Sequence, residues 1–263
     1  MAVYDIDGNV ISGGGSTPNI YIPDESPSFY DKICKSINHR GWVSGGAADN
    51  SLAAFKASKT NGFYYVETDV RHTSDNVAIL YHDDYINGTA VTNMTYTEVL
   101  AVVPTLAKFD DFIALCRQIC LHPYLELKQG SKTQIQALVD VVHSYHMEKQ
   151  VTWFGGNTNV TYVQQYDSNA RLGILANTLT STIVSQALAL KLDTNEVFLD
   201  TYISYLTSEI LAMVKESGLP LELFTFTTGS TEANEILGMD KYITGFTSNT
   251  NIAGKVIYDN AIA

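Results

Sequence analysis

Two carboxylates in Glu67-Thr68-Asp69-Val70 are spaced to act together. Side chains alternate along a strand, so Glu67 and Asp69 face one way while Val66, Thr68 and Val70 face the other. Two acids pointing together repel unless a cation sits between them. Oxygen-only donors suit a hard ion, Mg²⁺ or Ca²⁺. Read alone, the pair fits solvated surface acids equally well. Tyr124-Leu125-Glu126-Leu127-Lys128 adds a third acid. Here Glu126 and Lys128 share one face and Leu125 and Leu127 the other. A strand covered on both faces should be apolar throughout. Glu126 is therefore a third candidate ligand and Lys128 a cation for phosphate oxygen, unless the two form an ion pair bracing the core.

Two histidines end strand-like runs, His39 beside Arg40 and His82 before Asp83-Asp84. Such a pair can divide general-base and general-acid work near neutral pH. Arg40 can present a planar fork to a phosphoryl group as charge builds in a transition state. His143 and His146, three apart on a helix, read as surface residues. His122, before Pro123, reads as a loop residue, and His72 as a weak candidate near the mouth.

The elements that must position these groups alternate. Strand-like runs fall at 35–39, 64–70, 77–82, 124–128, 151–154, 172–176, 196–200, 222–227 and 242–246. Helix-like stretches fall at 50–60, 106–120, 132–146, 158–166, 180–191, 207–217 and 230–237. Ser131 suits an N-cap; Gly218 before Pro220, and Gly238, suit helix ends. Strands alternating with helices imply a parallel sheet with right-handed crossovers. Continued over 263 residues, this predicts a (β/α)8 TIM barrel, which takes about 250 residues and carries its chemistry at the C-terminal strand ends. Nine runs are one too many for eight strands. Val77–His82, which follows its predecessor without a helix, is the expected extra. No Gly-rich dinucleotide fingerprint follows the first strand.

Residues 1–30 read differently, as an N-terminal arm or strap before a barrel domain at 31–263. Asp7-Gly8-Asn9 suits a hairpin, Gly13-Gly14-Gly15-Ser16 a joint, and Pro18, Pro23 and Pro27 an extended segment. Such an arm would suit docking to a larger assembly.

Composition narrows the partners. A net charge of −12 argues against nucleic acid. An anionic ligand would need a local cation to offset that field, and a bound metal would supply it. No apolar run approaches the roughly 20 residues of a membrane span, and the N-terminus has no signal-peptide pattern. A soluble protein is expected, cytoplasmic or part of an extracellular or virion assembly. Cys34, Cys116 and Cys120 are too few, and odd in number, for a disulfide framework. Cys116 and Cys120 read as small apolar residues on one helix face.

In order, the chain shows HRG (39–41), ADNS (48–51), ETDV (67–70), TSDN (73–76), HDD (82–84), PTL (104–106), LELK (125–128) and TGFTSN (244–249). Each piece is weak alone, but the ordered set resembles the glycerophosphodiester phosphodiesterase family over about residues 37–250. The resemblance implies hydrolysis of a glycerophosphodiester to glycerol phosphate and an alcohol. His39 and His82 would be the acid/base pair, and Glu67, Asp69 and Glu126 would hold one divalent cation. Arg40 and Lys128 would bind phosphate. It also implies attack by the substrate's own glycerol hydroxyl, through a cyclic phosphate. The chain departs from the family pattern at Asp49, where a Glu is usual, and after His82-Asp83, where an Arg is absent. It also departs at Phe224, which keeps an aromatic wall where a Trp is usual. The substrate would be a small phosphodiester or a glycerol-phosphate polymer. Two other readings stand beside this one: a catalytically inactive barrel serving as a binding module, and a lyase that stops at the cyclic phosphate.

Overall fold

A computed structural model of the chain describes residues 35–226 and 243–249. The expected arm at 1–30, the helix at 230–237, Gly238 and Cys34 lie outside them.

Eight parallel strands close into a barrel. They are β1 (Lys35–Asn38), β2 (Tyr65–His72), β6 (His122–Leu127), β7 (Thr152–Gly155), β8 (Arg171–Ala176), β9 (Val197–Tyr202), β10 (Leu221–Phe226) and β11 (Ile243–Ser248). Around the wall the order is β1-β11-β10-β9-β8-β7-β6-β2, closed by a β1–β2 pairing. As expected, the run after β2 is the extra: β3 (Ala78–Leu80) pairs antiparallel with the end of β2, Val70 opposite Leu80. The outer layer is α1 (Leu52–Thr60), α3 (Phe109–Ile119), α4 (Lys132–Ser144), α5 (Asn157–Tyr166), α6 (Ser181–Leu190) and α7 (Ser208–Ser217).

The sequence reading missed a small insertion between β3 and α3. It holds a hairpin, β4 (Tyr85–Ile86) and β5 (Thr89–Ala90), and α2 (Tyr96–Val102). Asn87 and Gly88 both take positive φ in its turn, the pattern of a two-residue hairpin loop. Thr95 and Glu98 form a capping box that starts α2. His122 corrects another expectation. It opens β6, opposite Tyr65, and is not in a loop.

Alternation sorts each strand into two faces. Val66, Val70, Leu125, Leu127, Trp153, Leu172 and Leu199 point outward into one core cluster with the helices. Ile37, Tyr65, Tyr124, Phe154 and Phe198 point inward and fill the lumen. Gly173 makes room for Phe198, whose ring would lie 2.2 Å from a Cβ there.

The N-terminal end of the lumen is closed by charge. Arg171 lies 2.7 Å from Glu222, 2.9 Å from Glu196 and 2.9 Å from the Tyr124 hydroxyl. Its guanidinium also stacks 4.3 Å from the Phe198 ring centre, a favourable contact for a desolvated Arg. Tyr124 and Phe198 form a floor over this end of the lumen.

Ser131 caps α4 through a capping box with Gln134, and Gly218 ends α7 in the left-handed conformation. Cys116 is buried, while Cys120 ends α3 in the left-handed region. Both are free thiols.

Candidate active site

β1 and β2 pair over only two residues, Ile37 with Tyr65 and Asn38 with Val66. Beyond them the chain turns away from β1, with the Trp42 N–H donating to the Ala54 carbonyl of α1 at 3.0 Å. Arg40 and Gly41 both have positive φ, 53° and 84°. A Cβ on Gly41 would meet Ala54 at 2.8 Å, so the turn needs Gly for space as well as conformation. This turn aims the Arg40 N–H at Glu67 Oε2, 3.1 Å away. A non-glycine residue held in this region marks a site that the surrounding structure over-determines.

The three predicted acids converge. Glu67, Asp69 and Glu126 each offer an oxygen within 4.8 Å of the others. Register brings this about: Asp69 lies directly opposite Glu126 in the β2–β6 pair, and Glu67 sits two residues below Asp69. Glu67 and Asp69 are buried. Burial pushes the Glu67 pKa well up, and Asp69 and Glu126 push it further. Burial raises Glu126 too, against the pull of Lys128. Asp69 goes the other way. Burial opposes its ionisation, but Lys128, Arg40 and the Asn50 hydrogen bond together hold its pKa low. Such a cluster is frustrated without added positive charge, and its all-carboxylate donors fit a hard divalent cation.

The chain supplies some of that charge. Lys128 Nζ lies 2.6 Å from Glu126 Oε1 and 3.0 Å from Asp69 Oδ1. Arg40 Nε lies 3.3 Å from Asp69 Oδ2, and its NH1 lies 3.7 Å from Asp49. Lys128 is thus paired with Glu126, as the bracing alternative required, while also sitting against the acid cluster at the mouth.

His39 joins the site with Nε2 3.9 Å from Glu67 Oε2. Its Nδ1 meets Asn249 Oδ1 at 2.6 Å, so the proton on Nδ1 is donated there and the Nε2 lone pair is left for the site. Burial and the neighbouring Arg40 lower the His39 pKa to about 4. His82 follows β3, with Nδ1 2.7 Å from Asp83 Oδ1. The Tyr81 N–H donates to the Asp69 carbonyl at 2.9 Å, which brings the His82 segment to the C-terminal end of β2. Phe224 lies on β10, its ring 5.7 Å from that of Tyr202.

Sequence reasoning missed three residues. Asn50 donates to Asp69 Oδ2 at 2.8 Å and accepts from the Thr68 hydroxyl at 2.7 Å, which fixes its amide. Its signal was its place in ADNS, ahead of α1. Asn249 fixes His39 from 210 residues away, and nothing local announces that. Arg71 grips the His82 segment; its signal was a charge inside a buried strand. His72, the weak candidate, faces outward and lines a cavity of about 590 Å³ between α3 and α4. That cavity contains none of the acids, so volume alone points away from the chemistry. His143 and His146 are exposed, as expected.

The profile of the Glycerophosphoryl diester phosphodiesterase family matches residues 39–215, which is 177 of 263 residues. The chain belongs to this family. A curated relative, a probable glycerophosphodiester phosphodiesterase 2 of Mycobacterium tuberculosis, is 49% identical over 48 residues. That stretch is 18% of this chain and 18% of the relative. Solved structures share the fold. A glycerophosphodiester phosphodiesterase from Parabacteroides distasonis superposes with a TM-score of 0.73 at 19% identity, over 88% of this chain and 99% of that one. An Oleispira antarctica phosphodiesterase, solved with the product sn-glycerol-3-phosphate, gives 0.71 at 18%, over 89% and 99%. The family match ends before Phe224 and Asn249. Among the described residues, no helix is long and apolar enough to cross a membrane.

Proposed function

We propose that this chain is a metal-dependent phosphodiesterase that hydrolyses a glycerophosphodiester to glycerol phosphate and an alcohol. The observation that carries the reading is the convergence of Glu67, Asp69 and Glu126 within 4.8 Å, with His39 Nε2 3.9 Å from Glu67. Those three acids would hold one divalent cation, Mg²⁺ or Ca²⁺. Once bound, it would supply the positive charge that stabilises an attacking alkoxide and the phosphoryl oxygens.

The side chains divide the remaining work. His39, neutral at physiological pH with its Nε2 lone pair facing the site, takes the proton from the glycerol hydroxyl next to the phosphodiester. That oxygen bonds to phosphorus and the bond to the leaving alcohol breaks. His82, whose Nδ1 is held by Asp83, uses Nε2 to protonate the departing oxygen. A cyclic phosphate results. Water then adds to phosphorus with the roles of the histidines reversed, and the ring opens to glycerol phosphate. Arg40 and Lys128 sit against the acids where phosphoryl oxygens would arrive. Phe224 offers an apolar wall to the alcohol.

The test is release of glycerol phosphate from glycerophosphocholine, with EDTA and then with Mg²⁺ or Ca²⁺ restored. Activity lost to EDTA and regained with one ion supports the reading. EDTA-resistant activity removes the cation from it. No turnover of glycerophosphocholine, glycerophosphoglycerol or a glycerol-phosphate polymer with either ion overturns it.

A further inference from the structure

Arg71 lies on the lumen face of β2, two residues beyond Asp69, and is only 4% exposed. A guanidinium in that position could be taken for another phosphate ligand. Its hydrogen bonds say otherwise. Nε and NH2 both donate to the backbone carbonyl of His82, at 3.0 and 2.6 Å. NH1 pairs with Asp84 Oδ1 at 2.7 Å. Each of the three nitrogens thus contacts one turn of chain, residues 82–84.

That turn needs holding. The His82 side chain is 39% exposed, so packing does little to fix it. Its backbone is hung from β2 at two points: the Tyr81 N–H donates to the Asp69 carbonyl at 2.9 Å, and Arg71 grips the next carbonyl. The first point ties the loop to a proposed metal ligand, and the second stops it rotating about that tie. We propose that Arg71 is a positioning residue that acts through His82, setting the imidazole against the acid cluster. This rests on the proposed phosphodiesterase reading. Lys cannot replace it, because one ammonium cannot give two converging donors to a carbonyl and a third to Asp84. Misplacement of a catalytic group by about 1 Å can cost roughly 100-fold in rate.

The test uses the full chain with divalent cation and glycerophosphocholine, comparing wild type, R71Q, R71K, D84N, H82A and R71Q/H82A. R71Q should lower kcat about 100-fold while KM and cation affinity change little, and R71K should not restore it. D84N, at an exposed residue, should lower kcat by only about threefold, as expected for one exposed ion pair. In the H82A background, R71Q should cost nothing more, since a residue that acts through His82 has nothing left to act on. Wild-type kcat in R71Q, or a full further loss in R71Q/H82A, overturns the proposal. Should R71Q fail to fold, D84N and its double variant with H82A carry the same comparison. Amide hydrogen exchange separates this idea from the activity reading. Residues 81–86 should exchange faster in R71Q, or in D84N, even if the wild type turns over no diester. Unchanged exchange there sinks the positioning role by itself.

Discussion

Lys128 Nζ sits 2.6 Å from Glu126 Oε1 on the same strand face. The pair is half of a balance in which two cations, Lys128 and Arg40, offset three acids. The balance is incomplete, so added cation, a change of pH or a substitution should each shift it.

Lys128→Met takes a cation away from Asp69 and Glu126, so it should be assayed with divalent cation bound, which replaces the lost positive charge. It should lower kcat/KM by about 10²–10³, the range seen when one charge-stabilising donor is removed from an active site. Steady-state kinetics at saturating cation check this. A variant with wild-type kcat/KM would make Lys128 a bracing partner of Glu126 and nothing more.

Asn50→Ala removes the 2.8 Å hydrogen bond to Asp69 Oδ2. Partners behind a metal ligand typically contribute about 10–100-fold to affinity. Calorimetric titration with Mg²⁺ or Ca²⁺ should show that weakening, with kcat at saturating ion far less affected. Unaltered affinity would show that Asp69 does not need this amide.

Glu67 should make the protein pH-sensitive when no cation is bound. Its folded pKa is raised above the ordinary 4.5 by burial, Asp69 and Glu126. The stability it contributes is present below the unfolded value and is lost as pH rises through the folded one. The Tm in EDTA should therefore fall as pH rises from about 4.5, by about 2–4 °C for each kcal/mol lost in a chain of this size. Asp69, held low by Lys128 and Arg40, has the opposite sign and weakens the protein only as pH falls below its ordinary value. Glu67→Gln should flatten the upper slope and abolish stabilisation by added cation. Equal slopes in the two proteins would show that Glu67 is not the responsive group.

Gly173→Ala tests the lumen. Its Cβ would lie 2.2 Å from the Phe198 ring, an overpacking expected to destabilise by about 1–3 kcal/mol. Denaturant unfolding should show that loss without a change in m. A fully stable variant would mean the ring can move aside, and that Phe198 does not plug the barrel rigidly.

The barrel was legible in the sequence because its signal is local. Each strand is a short apolar run, and each helix has its own periodicity and caps, such as Ser131 and Gly218. Strand-face alternation alone put Glu67 with Asp69, and Glu126 with Lys128. The insertion at 85–102 was not legible. Its hairpin strands have two residues each and its helix seven, too short for periodicity to register. His122 was misplaced because the proline after it signals a break, yet β6 begins at His122 and takes in Pro123 as its second residue.

Tertiary structure decided everything that depends on register and closure. The sequence puts Asp69 and Glu126 on their strands but does not say that β2 and β6 are neighbours with those residues opposite each other. It places His39 at a strand end but cannot show that closing the barrel brings Asn249 to its ring. Nor can it reveal that Arg71 reaches past the acids to His82. Composition and spacing determine which elements form and which faces they offer. Contacts between residues far apart in the chain are set by strand order and stagger, and those exist only once the sheet has closed.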